Sequence, residues 1–172
     1  MFKDKTFDSK TFKRKDFSND DFSDSYFIGC QFKNCSLTTV NVKNTKFQKV
    51  IFDGCRISGV NFSDCNKLVI YFEFKDCLIS GCTFSELNLT KTNFLNCKIL
   101  ECDFIETNLY ESNFEGSDLS GSFFEKANLR SVSFKGAKNY SINPNENKIK
   151  NAKFSFPEVI SLLKFFDIKI ED

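Results

Sequence analysis

Apolar residues return at every fifth position along most of this chain. Stepping from Phe2 by fives gives Phe7, Phe12, Phe17, Phe22, Phe27, Phe32, Leu37, Val42, Phe47, Phe52, Ile57 and Phe62. The frame slips by two residues within SDCNKLVIYFEF. It then resumes as Phe74, Ile79, Phe84, Leu89, Phe94, Ile99, Phe104, Leu109, Phe114, Leu119, Phe124, Leu129 and Phe134. Of the 23 phenylalanines, 18 fall in these two frames or in their extension to Phe154. An amphipathic helix repeats its apolar positions at spacings of three and four, and a half-buried strand at two. A period of five fits neither.

Two further phases carry their own residue types. From Cys30 onward the side chain two positions before the stepping residue is small or apolar, and all eight cysteines (Cys30, Cys35, Cys55, Cys65, Cys77, Cys82, Cys97 and Cys102) take this place. All seven glycines lie two positions after it. In an extended segment, residues two apart point to the same side, and glycine suits a corner with positive φ. Each pentad is therefore expected to be a very short strand followed by a corner, with two side chains aimed inward.

Segments such as Ser117-Asp118-Leu119-Ser120-Gly121 and Ala127-Asn128-Leu129-Arg130 resemble the pentapeptide-repeat family. The resemblance implies an all-β fold, a right-handed quadrilateral β-helix with four pentads per coil. Residues 20 apart should then stack on one face. Phe84/Phe104/Phe124 and Phe74/Phe94/Phe114 become phenylalanine stacks on opposite sides, and Leu37 and Ile57 join Ile79 and Ile99. Some six coils are expected, a rod roughly 30 Å long at ~4.8 Å per coil.

Residues 16–154 form the expected solenoid. In residues 1–15 the inward phase carries Lys5, Lys10 and Lys15. Isolated buried ammonium groups are too costly, so a frayed or capping strand is expected there, with the regular coil starting near Phe17 to Phe22. The repeat fades in NYSINPNENKIKN and returns at Phe154. In residues 155–172, Ser155-Phe156-Pro157-Glu158 reads as a capping box opening a short α-helix, with DIKI as a short final strand. Val159, Ile160, Leu162, Leu163, Phe165 and Phe166 follow at helical spacing. They resemble the dimerisation helix of Qnr- and MfpA-like members of the family, which implies a homodimer.

Lys+Arg is 24 and Asp+Glu 23. This balance argues against direct nucleic-acid binding, which calls for a strongly basic chain. No apolar run approaches the ~20 residues of a membrane helix, and the N-terminus lacks the apolar stretch of a signal peptide, so a cytoplasmic protein is expected. Without histidine, a CxxC pair or a phosphate loop, no catalytic residue, metal ligand or cofactor is expected. The cysteines are expected to be reduced core residues.

Function must then lie on the exterior. Asp21, Asp24, Asp64, Glu86, Asp103, Glu106 and Glu125 fall on one face of the four-sided coil. Qnr- and MfpA-like proteins engage DNA gyrase, and in some cases topoisomerase IV, through an acidic rod that imitates DNA. The resemblance implies such a partner and an effect on quinolone susceptibility. Duplex DNA carries roughly 18 charges over ~30 Å, more than this face supplies, and Lys43 and Lys126 interrupt it. The slip near Asn66-Lys67-Leu68 is also shorter than the projecting loops of Gram-negative Qnr proteins. A different surface offers a second reading. Leu95, Leu100, Ile105 and Tyr110 follow the stepping residue in four successive pentads. Such a girdle suits a structural or adaptor module that binds a protein through its coil faces.

Overall fold

The structure, a computed structural model, describes residues 2–169 and 171. It is the expected right-handed quadrilateral β-helix, followed by one short helix. Short parallel strands stack in register: Leu37, Ile57, Ile79 and Ile99 lie one above another, as do Phe32, Phe52, Phe74 and Phe94. Four faces follow in chain order, with Phe22, Phe27, Phe32 and Leu37 beginning the second coil on the first to the fourth.

The core is a ladder of rings. On the third face Phe12, Phe32, Phe52, Phe74, Phe94, Phe114, Phe134 and Phe154 stack with centroids 4.7–5.4 Å apart. On the first face Phe62, Phe84, Phe104 and Phe124 stack at 4.9–5.0 Å. The two ladders meet edge to face across the shaft, Phe94 and Phe104 at 86° and 5.8 Å. This is the arrangement the ring quadrupoles favour. Truncating one such buried ring costs about 3–5 kcal/mol. That outweighs the about 1–2 kcal/mol of a left-handed backbone, which the fold demands at most corners. All seven glycines have φ between +57° and +71°, and non-glycine corners such as Asp24 (+60°), Glu106 (+55°) and Thr39 (+51°) are left-handed as well.

Polar residues at the inward phase are satisfied by the backbone of neighbouring coils. The Ser117 hydroxyl donates to the Phe94 carbonyl at 2.7 Å and accepts the Cys97 N–H at 2.8 Å. Thr45 donates to the Phe22 carbonyl at 2.8 Å. The shaft therefore admits serine and threonine without an orphaned buried group.

The regular register begins earlier than expected. Thr6–Asp8 and Thr11–Lys13 pair in register with Tyr26–Ile28 and Gln31–Lys33. Phe2 packs over the shaft against Phe7, Phe12, Phe17 and Phe22, with centroids 5.1–6.1 Å away. Lys5, Lys10 and Lys15 tolerate their phase because no coil lies beneath them, and all three are exposed. The third-face ladder spans seven coil steps, a rise of roughly 34 Å.

Two irregularities are absorbed inside the rod. At the slip, Phe47 pairs with Ile70 and Phe52 with Phe74, with a bulge between Gln48 and Val50. Phe72 takes the inward place above Val50 and is fully buried. Leu68 is pushed outward and is 94% exposed. Near the C-terminus the repeat does not fade but changes frame. Phe124 pairs with Ile142, whereas Asn128 bridges to Lys148. Tyr140 enters the core beside Asn139, whose amide donates instead to Asp118 at 2.9 Å. Asn147 closes the detour by donating to the Phe124 carbonyl at 2.8 Å.

The C-terminal segment departs from expectation. Glu158–Phe166 is a 3₁₀ helix and not an α-helix, and Pro157 stands at its N-cap without a side-chain hydrogen bond. No capping box forms because the Ser155 hydroxyl turns to the rod and accepts the Gly136 N–H at 3.1 Å. Residues 167–169 form no strand; Ile170, the last residue of the expected DIKI strand, lies outside the described residues.

The corners generate a prediction of opposite signs. Thr39 is β-branched at φ +51°, and its hydroxyl already meets Asn19 at the corner beneath. Thr39→Asn should stabilise the protein by about 0.5–1 kcal/mol, since asparagine tolerates this backbone far better. Gly81 has φ +57° and open space where a Cβ would stand, so Gly81→Ala should cost about 1 kcal/mol from backbone strain alone. Urea unfolding midpoints measure both.

Candidate functional surface

The first face collects the acidic residues singled out in the sequence. Asp24, Glu86 and Glu106 occupy its corners, as their backbone ladder positions show, and Asp64 lies directly above Asn44. Asp21 and Asp103 sit one residue before the inward ladder, bridged to Asn41 and to Thr83 and Phe123. Glu125 follows Phe124 on the same side. Asp24, Asp64, Glu86, Glu106 and Glu125 are exposed, and Asp21 and Asp103 half-buried.

Much of this charge is already engaged. Lys67 reaches Glu86 at 3.0 Å, Lys126 reaches Glu106 at 3.8 Å and Glu125 at 3.9 Å, and Lys3 reaches Asp21 at 3.9 Å. Asn44 donates to Asp24 at 3.0 Å and the Ile105 N–H to Asp103 at 2.8 Å. Hydrogen bonds from the Ser23 hydroxyl and backbone hold the Asp21 carboxyl below its ordinary value. Such exposed ion pairs add little stability, but they lower the net charge the face presents. Lys67 was brought to Glu86 by the two-residue insertion, a placement the repeat frame gave no way to foresee.

Leu95, Leu100, Ile105 and Tyr110 do girdle one coil, all half-buried. They follow Phe94, Ile99, Phe104 and Leu109, so each stands on a different face and no flat partner can touch all four. Tyr110 is covered by Arg130, whose guanidinium lies 5.9 Å from the ring centroid. Ile105 opens into a groove of about 310 Å³, shared with Phe123, Glu125, Asn143, Glu146 and Phe165. Phe123 is 64% exposed. It precedes an inward phenylalanine in an ordinary pentad, which hides it in the sequence; its signal is that the first-face residues at that phase from Asp21 to Asp103 are all polar.

The terminal helix divides its apolar residues. Leu162 is buried and Val159 packs partly against the core. Phe165 lines the groove. Ile160, Leu163 and Phe166 face outward at 43%, 40% and 47% exposure. Lys164 donates to Ser141 at 3.0 Å and ties the helix to the rod.

A model of the pentapeptide repeat region matches residues 5–73 and 72–154. The chain belongs to the pentapeptide-repeat family. Among solved structures, a trypsin-treated variant of QnrB1, described as a plasmid-mediated fluoroquinolone resistance protein, is similar at TM-score 0.58 and 19% identity, covering 97% of this chain and 95% of that one. HetL from the cyanobacterium Nostoc sp. strain PCC 7120, described as involved in heterocyst differentiation regulation, matches at TM-score 0.46 and 10% identity, covering 86% and 84%. At these identities the QnrB1 likeness shows the fold alone. No curated protein matches by sequence.

In this pentapeptide-repeat protein the cysteines are part of the shaft. All eight are unpaired and buried, and Cys55 and Cys102 point their sulfurs at carbonyls of a neighbouring coil, at 3.2 and 3.7 Å. Burial pushes the Cys30, Cys35 and Cys65 thiols up, away from the reactive thiolate. Folded protein should therefore leave its thiols almost unreacted with Ellman's reagent at neutral pH, while denaturant should release the full complement. Rapid reaction of any thiol in the folded state would contradict this placement.

Proposed function

We propose that the protein is a non-enzymatic, cytoplasmic binding protein that offers its first face to another macromolecule, and that a type II topoisomerase, DNA gyrase or topoisomerase IV, is the partner to test first. The observation that carries this reading is the gathering of Asp21, Asp24, Asp64, Glu86, Asp103, Glu106 and Glu125 onto one side of a rod whose interior is filled. A convex, acidic rod can take the place of a duplex in a basic channel. The fold it shares with a fluoroquinolone resistance protein supports the same choice. Four of the seven acids are held by lysines, so Asp24, Asp64 and Asp103 carry most of the unpaired charge. Among the described residues no helix is long and apolar enough to cross a membrane.

A second reading, an adaptor that grips a protein through an apolar contact, is favoured by the groove between Ile105, Phe123 and Phe165. A gyrase supercoiling assay with and without ciprofloxacin separates the two. Inhibition, or rescue from the drug, that disappears when Glu86, Asp103 and Glu106 are changed to Lys supports imitation of DNA. Absence of any effect at tens of micromolar protein would sink the topoisomerase reading. An effect lost on Leu100→Ser and Ile105→Ser but indifferent to the acids would move the contact to the apolar side chains.

The outward side of the terminal helix supports a homodimer. Ile160, Leu163 and Phe166 form an apolar strip that nothing in the protomer covers. Light scattering at micromolar concentration should give the mass of two copies, and the pair Leu163→Ser and Phe166→Ser should give one.

A further inference from the structure

Each outward column of a solenoid repeats its own residue preference, so a side chain that breaks the column marks a local demand. On the first face the column before the inward ladder reads Asp21, Asn41, Asn61, Thr83, Asp103, Phe123. The column after it reads Ser23, Lys43, Ser63, Ser85, Ile105, Glu125. Phe123 and Ile105 are apolar in columns that are otherwise polar. They lie in adjacent coils and line the same groove, which Phe165 of the terminal helix completes. Glu125 and Glu146 line it as well. Among the described residues Glu146 has no ion pair, and Glu125 meets only Lys126 at 3.9 Å.

We propose that this groove binds a protein segment presenting an arginine or lysine beside an aliphatic side chain. The apolar walls suit the methylene stem of such a residue, and the two carboxylates suit its charged head. A volume of about 310 Å³ lies at the lower end of ligand-sized pockets, enough for one long side chain and too small for a helix. An acidic segment is repelled, and a wholly apolar one would bury Glu146 without a partner and Glu125 with only a share of Lys126. The inference rests on the reading of the rod as a binding protein, but not on a topoisomerase as its partner.

Fluorescence anisotropy with a labelled octapeptide of alternating leucine and arginine tests it, with the leucine–glutamate counterpart as control. Saturable binding is expected for the first and none for the second. Phe123→Ser, and separately the pair Glu125→Gln and Glu146→Gln, should each weaken binding about tenfold or more. The pair Glu111→Gln and Glu115→Gln, exposed acids of other faces away from the groove, should leave it within about twofold. All these side chains are on the surface, so unchanged urea midpoints certify the fold. Failure of the arginine peptide to saturate overturns the proposal. So does equal weakening by the remote acids, which would mean diffuse attraction, or indifference to Phe123→Ser. Sedimentation showing that Phe123→Ser splits a homodimer would assign the groove to a second copy and overturn it too. Loss of groove binding with gyrase inhibition intact would leave the topoisomerase reading standing, and the reverse result would leave the groove.

Discussion

Everything in this molecule is subordinate to the stacking of like side chains at the interstrand spacing inside a shaft of fixed cross-section. A ring contacts the ring above, the ring below and the edges of rings across the shaft. Its position is therefore set by residues 20 away and by those ten away in the chain. The benefit is large enough to force the backbone through a left-handed corner in almost every pentad, even where lysine, glutamate or threonine stands there. Because both inward positions of each pentad are consumed by this packing, no cleft can form within the rod. Only the outward positions, and whatever the two ends add, remain for recognition.

That division explains what could be read from the chain. The inward ladder is a periodic signal repeated in every coil, so the four faces and the pairing of Leu37 with Ile57, Ile79 and Ile99 were all legible. Legibility failed where the period was broken. Phe72 entering above Val50, and Tyr140 and Ile142 entering the core where the repeat was expected to fade, depend on local detours whose geometry has no counterpart in the repeat. The first coil was misjudged for a different reason: a phase that is buried in the middle of a solenoid is open at its end, so Lys5, Lys10 and Lys15 do not forbid the coil. At the other terminus, Ser155 bonded to Gly136 across the chain, and a tertiary contact overrode a plausible local cap.

The candidate surface was half legible. Membership of a face follows from arithmetic, and the seven acids do share one. Their neutralisation does not follow from it, because Lys3, Lys67 and Lys126 reach their partners through side-chain geometry and, for Lys67, through an insertion. The girdle shows another limit of the same arithmetic. Four successive pentads are distributed by the corners to four compass points, and the groove that does assemble, lined by Ile105, Phe123 and Phe165, joins residues from two coils and the terminal helix.

The ammonium groups on the opening coil have one more consequence. A parallel β-edge is a template: its unpaired peptide groups invite another strand, and a rod with a clean first layer would accept the end of a neighbour and grow into a fibre. Elsewhere the same phase holds thiols, hydroxyls and aliphatic side chains such as Val50 that accept a layer on either side. With Lys5, Lys10 and Lys15 exposed on this edge, stacking a further layer on it would bury three positive charges, a cost that works against end-to-end growth of the rod.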